Sequence, residues 1–163
     1  MARKVFTSFH YVPDNSRASQ IRNMGKLEGN SVATTNKWEE VKKGGDTEIK
    51  KWIADNMYGK SCVIVFVGEK TAGRKWIDYE IIKAWNDGRG VFGIYIHKLK
   101  DLNGNQAEKG ANPFDYVTID GIIMSKIVKC YNPPYSVSTN VYAHIKENLE
   151  EWIEEAITIR NNY

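Results

Sequence analysis

The stretch Ser61-Cys-Val-Ile-Val-Phe-Val67 holds an unbroken apolar run after its first residue. A strand with one wet face alternates apolar and polar side chains. A strand without alternation is covered on both faces, as in the middle of a parallel sheet. Such a sheet needs helices above and below it, joined by right-handed crossovers. The rest of the chain reads accordingly. A short strand is predicted over 5–9, then turn material at Pro13, Asp14, Asn15 and Ser16, then a helix over 17–26 capped by Asn15 or Ser16. Residues 31–34 are a candidate second strand. Asp46 is a suitable cap for a helix over 47–57 in which Ile49, Trp52, Ile53 and Met57 recur at helical spacing. A further helix is predicted over 74–87, stopped by Gly88, and a buried strand over 91–96. Residues 99–117 read as a long polar loop, 122–131 as a last strand or two short ones. A closing helix to about Arg160 shows the stripe Val141, Ile145, Leu149, Trp152, Ala156 and Ile159. The expected fold is α/β, a flavodoxin-like three-layer sandwich around a roughly five-stranded parallel sheet, in one domain over 1–163. Ligands in this architecture sit at the carboxyl ends of the strands, which directs attention to the residues after Phe9, Val67 and Ile96.

Composition narrows the function classes. The net charge of +3 comes from 23 basic and 20 acidic residues, with no basic block that would track phosphates, so no nucleic-acid partner is expected. The longest apolar run is too short to cross a bilayer, and the opening Met1-Ala2-Arg3-Lys4-Val5-Phe6 lacks a signal-peptide pattern. No membrane partner is expected, and the expected location is the cytoplasm. Cys62 and Cys130 read as buried free thiols. No CxxC and no cysteine–histidine pair of zinc spacing exists, so no metal is expected. There is no GxGxxG after the first strand, no GxxxxGK[ST], no GxSxG and no HExxH. The acidic positions of a phosphoryl receiver are also absent.

Several groups could carry chemistry. Thr7, Ser8, Phe9 and His10 end the first strand at the ligand edge; they read equally as residues that cap backbone groups. Trp76 and Glu80 lie four apart on the third predicted helix and share a face, with Ile77, Ile81, Ala84 and Trp85 as the neighbouring core stripe. A carboxylate half-shielded beside an indole could hold a ribose diol or a cationic centre; a solvated glutamate beside a packing tryptophan is the plain reading. Trp38, Glu39 and Glu40 with Lys42 and Lys43 read as a solvated charge run. Asn112-Pro-Phe-Asp-Tyr116 looks like an Asx-type turn.

Taken together, the opening Val5-Phe-Thr-Ser-Phe9 resembles the first strand of a TIR domain. Gly68 to Ile81, with Trp76 and Glu80, resembles the TIR stretch in which a tryptophan precedes a helical glutamate by four residues. Phe6 to Tyr11, Arg74 to Ile81, and the insertion from Asp101 to Tyr116 are similar to the TIR-like ThsB family of the bacterial Thoeris anti-phage system; Thr7 is a mild departure, and the C-terminal third matches loosely. The resemblance implies an enzyme that takes NAD as substrate, needs no cofactor, and cleaves the nicotinamide–ribose bond. Glu80 would be catalytic. Ser8, Phe9, His10 and Trp76 would line the NAD pocket, with Asp14, Arg17 and Trp38 as further contacts. Water as nucleophile would give ADP-ribose; a nucleophile within the ADP-ribose unit would give a cyclic isomer. That product would act as a diffusible signal to a separate effector, with self-assembly on activation. The competing readings are a non-enzymatic TIR-like interaction module and a flavodoxin-like flavin or small-ligand binder.

Overall fold

The computed structural model describes residues 3–27 and 41–163. Its central sheet runs β1 (Val5–Ser8), β2 (Cys62–Val67), β3 (Gly90–Tyr95) and, after a separate two-stranded hairpin β4 (Thr118–Ile119) and β5 (Ile122–Ile123), β6 (Cys130–Tyr131). All pairings in the central sheet are parallel, in the order β1-β2-β3-β6. The sheet therefore has four strands among the described residues rather than about five. The candidate strand over 31–34 lies outside them, as does Trp38.

The helices are α1 (Tyr11–Arg22), α2 (Asp46–Met57), α3 (Lys75–Asn86) and α4 (Ser138–Asn161). The unbroken apolar run of β2 is explained by its two cores. Cys62, Ile64 and Phe66 join α1 and α4 on one face, while Val63, Val65 and Val67 join α2 and α3 on the other. This is the three-layer arrangement expected of a flavodoxin-like fold. It places the carboxyl ends of β1, β2 and β3 along one edge.

One local expectation needs correction. Helix α1 begins at Tyr11, well before the predicted start, because Pro13 occupies its first turn. There a missing N–H costs nothing, since the first amides of a helix have no partner inside it. Of the two forms expected for 122–131, the structure has the pair of short strands, β5 and β6, separated by a 3-10 turn at Met124–Lys126. The long polar loop after β3 contains a 3-10 turn, Pro113–Tyr116, capped by the Asn112 side chain, which accepts from the Phe114 amide at 2.9 Å.

Candidate functional site

Strand alternation aims Ser8 and Phe9 in opposite directions. Ser8 follows Phe6 toward the α2/α3 side. Phe9 packs against the α1/α4 core, 6.0 Å from Phe66 and 5.9 Å from Tyr11 between ring centres, with the Arg22 guanidinium 5.2 Å above it. Ser8 meets α3. The stripe Ile77, Ile81, Ala84 and Trp85 turns that helix toward the sheet, and Glu80, one turn after Ile77, falls within the buried arc rather than at its border. Glu80 is 8% exposed and Ser8 1%. The Ser8 hydroxyl donates to Glu80 Oε1 at 2.7 Å.

This carboxyl group is poorly compensated. Among the described residues its hydrogen bond comes from a neutral hydroxyl. Burial pushes its pKa up to about 8, and the Ser8 bond offsets only part of the rise. Near neutral pH the group is then mostly in its acid form. A positive charge brought beside it would draw it to the carboxylate and be strongly stabilised, because attraction in a water-poor site is far larger than in bulk water.

Around this pair, His10 stands at the N-cap of α1, its ring half-buried and its Nδ1 without a partner. Burial, with the cationic Arg74 and Lys70, holds its pKa below the ordinary value. Arg74 occupies the N-cap position of α3 and Lys70 belongs to the preceding loop, so that loop lends the strand edge a cationic rim. Trp76 is half-buried against the α2/α3 core, edge-on to Tyr79 at 5.5 Å and 4.9 Å from the Lys75 ammonium. The structure thus unites Ser8 with Glu80 and leaves Phe9 and Trp76 against opposite cores.

Asp14 and Arg17 have a different setting from the one expected. Asp14 is 1% exposed and Arg17 4%. The guanidinium donates from Nε to the Leu99 carbonyl at 2.7 Å and from one terminal nitrogen to the Asn105 carbonyl at 2.9 Å. It also pairs with Asp14 at 3.4 Å and with Asp101 at 3.7 Å. Its donors are spent on the protein, so a grip on substrate phosphates would require breaking these bonds. Asp14 lies against the backbone of Gly68, where a Cβ would collide with its carboxylate, and its Oδ2 has no partner. Burial raises the Asp14 pKa, with Arg17 pulling the other way.

Sequence reasoning named Ser8 and Glu80 separately and missed their bond. It also missed Asp101 as an ion-pair partner for Arg17; the Asp101-Leu-Asn-Gly-Asn105 run was its visible trace, since Asp101 Oδ1 accepts from the Asn103 and Asn105 amides in an Asx turn. Among the described residues no group of three or more His, Cys, Asp or Glu side chains is placed to hold a metal ion. None of their helices is long and apolar enough to cross a membrane.

Comparison with known proteins agrees with the motifs. The family model described as "Thoeris protein ThsB, TIR-like domain" matches residues 6–101, which take in all of β1 but its first residue, and α1, α2, β2, α3 and β3. A Bacillus cereus (strain MSX-D12) protein named "Putative cyclic ADP-D-ribose synthase ThsB1" is 37% identical over 122 residues, covering 72% of this chain and 64% of the relative. The chain therefore spans a little under two thirds of that relative's length. With more than half of its residues inside the family model, and with its strand order and Trp76–Glu80 helix as described, the chain belongs to the TIR-like domain family of the Thoeris protein ThsB.

Proposed function

We propose that this chain binds NAD at the carboxyl edge of its sheet and breaks the bond between nicotinamide and ribose. The observation that carries the reading is the buried Glu80 carboxyl group, held by Ser8 and not compensated by any described cation. NAD brings the missing charge. Its nicotinamide ring is a cation, and as the C–N bond breaks the bonding pair leaves with the ring, which becomes neutral, while positive charge develops on the ribose carbon. A carboxylate beside that carbon favours the transition state over the ground state. Glu80 is the catalytic residue in this reading, Ser8 orients it, and Trp76 and His10 flank the pocket.

A nucleophile then forms the new bond at the ribose carbon. Water would yield ADP-ribose and release a proton. A nucleophilic atom of the same ADP-ribose unit would close a ring, and the name of the Bacillus cereus relative supports that outcome. A cyclic product would be a diffusible signal for a separate effector protein.

The test is mass spectrometry of small molecules formed from NAD by wild type and by Glu80→Gln, with and without lysate of phage-infected cells. Release of nicotinamide by the wild type, and its loss in a folded Glu80→Gln protein, is expected. Equal release by both would remove Glu80 from the chemistry. Release by neither, under any trigger, would favour a protein-interaction module instead.

A further inference from the structure

The loop after β3 is tied down at both ends of its path. At one end, Arg17 reaches from α1 to the carbonyls of Leu99 and Asn105 and to Asp101, and Gln20 donates to the Lys100 carbonyl at 2.7 Å. At the other end the loop grips the segment between β2 and α3. The Glu108 amide donates to the Glu69 side chain at 3.1 Å. Gly110 packs so closely on the carbonyls of Gly68 and Glu69 that a Cβ there would overlap them. The Tyr116 ring lies beside Gly73, 3.4 Å from where a Cβ would stand. Between the two ends, the Ala107 amide donates to the His97 carbonyl at 2.8 Å. Asp14, the partner of Arg17, closes the circuit by abutting Gly68.

The segment 68–73 thus has α1 on one side and the loop on the other, and it leads directly into the helix that carries Glu80. A buried guanidinium with this many acceptors is rigid, because each broken bond would leave a buried polar group unsatisfied. We propose that Arg17 is a positioning residue: by pinning residues 99–105 to α1 it braces the segment 68–73 and so sets where α3 begins and where Glu80 meets Ser8. This gives the 99–117 insertion a task as a strut. Its bearing on catalysis rests on the reading that Glu80 is where the reaction occurs.

The variants are Arg17→Lys, which keeps the charge but cannot reach the Leu99 and Asn105 carbonyls together, and Asp101→Asn, which keeps the Asx turn and weakens the tie from the loop side. Two measurements do not need activity. Hydrogen exchange at the Asn105, Ala107 and Glu108 amides should quicken by about tenfold or more while the strand amides keep their protection. The Glu80 titration, followed by NMR of carboxyl-labelled protein, should move by about half a unit or more. If nicotinamide release is present, the acidic limb of its pH profile should shift with the titration, whereas lost stability alone would lower the amplitude and leave the limb in place. An unchanged Glu80 titration in both folded variants overturns the brace, whatever the enzyme does. A shifted titration in a protein that never releases nicotinamide upholds the brace and removes the proposed function.

Discussion

Two carboxylates are buried at the same sheet edge, and they are treated in opposite ways. Asp14 is paired with a guanidinium that is itself held by backbone carbonyls, and it is locked against Gly68. Glu80 has a serine hydroxyl. Burying a carboxylate is costly unless a charge or several donors compensate it. At Asp14 a built-in cation offsets part of that cost, and the group becomes part of the scaffold. At Glu80 the cost stands, and a cation from outside would offset it. The lesson is that burial alone does not separate the two groups; the compensating charge, supplied at one and withheld at the other, does.

Substitutions at Glu80, Asp14, Arg17, Gly68 and Ser8 probe this contrast. Glu80→Gln is expected to lower nicotinamide release from NAD by at least about 10²-fold with the fold intact, while Asp14→Asn keeps measurable release in whatever fraction folds; the reverse ranking would exchange the two roles. Arg17→Ala strips a buried pair of one partner and should cost about 3–5 kcal/mol in denaturant unfolding. A loss comparable to an exposed ion pair would mean that Arg17 is no clamp. Gly68→Ala forces a methyl into the Asp14 carboxylate and should cost about 1–3 kcal/mol, an effect that Asp14→Ala should relieve in the double variant. Ser8→Ala should reduce kcat/KM by about tenfold or more, the worth of a hydrogen bond to a charged group. It should also push the acidic limb upward, since the lost donor had been holding Glu80 down.

A further effect concerns stability against pH. Between the ordinary glutamate value of 4.5 and about 8, the folded chain holds a proton on Glu80 that the unfolded chain has released. The Glu80 contribution to stability is therefore full below the lower value and fades as pH rises through the higher one. Glu80→Gln removes that dependence, so its melting temperature relative to wild type should rise from pH 5 to pH 8. A constant difference would show that Glu80 is not strained by its site.

Much of the fold was legible in the chain. The unbroken apolar run of β2 required cover on both faces, and the stripes Ile77–Ile81–Ala84–Trp85 and Val141 through Ala156 named the helical faces that provide it. The start of α1 was not legible, because Pro13 and Asp14 are as much at home in a turn as in a first helical turn. Glu80 could be singled out by its spacing from Trp76. Its depth could not, since position on a stripe does not say how far the opposing strand comes to meet it. The setting of Arg17 was not legible for a related reason: nothing near it in sequence shows that a later loop will bring acceptors to it.

Alternation, apolar runs and turn residues act over a few positions, so the sequence alone determined the class of fold, the faces of its helices and the edge where a ligand would sit. The tertiary structure decided which side chains meet there. Ser8 and Glu80 are 72 residues apart, and Arg17 finds its carbonyl partners 82 and 88 residues away. Those distances are closed by strand order and by the path of one loop, and no local pattern encodes either. The difference between the two buried carboxyl groups was therefore drawn only when the chain folded and gave Asp14 a cation and Glu80 a hydroxyl.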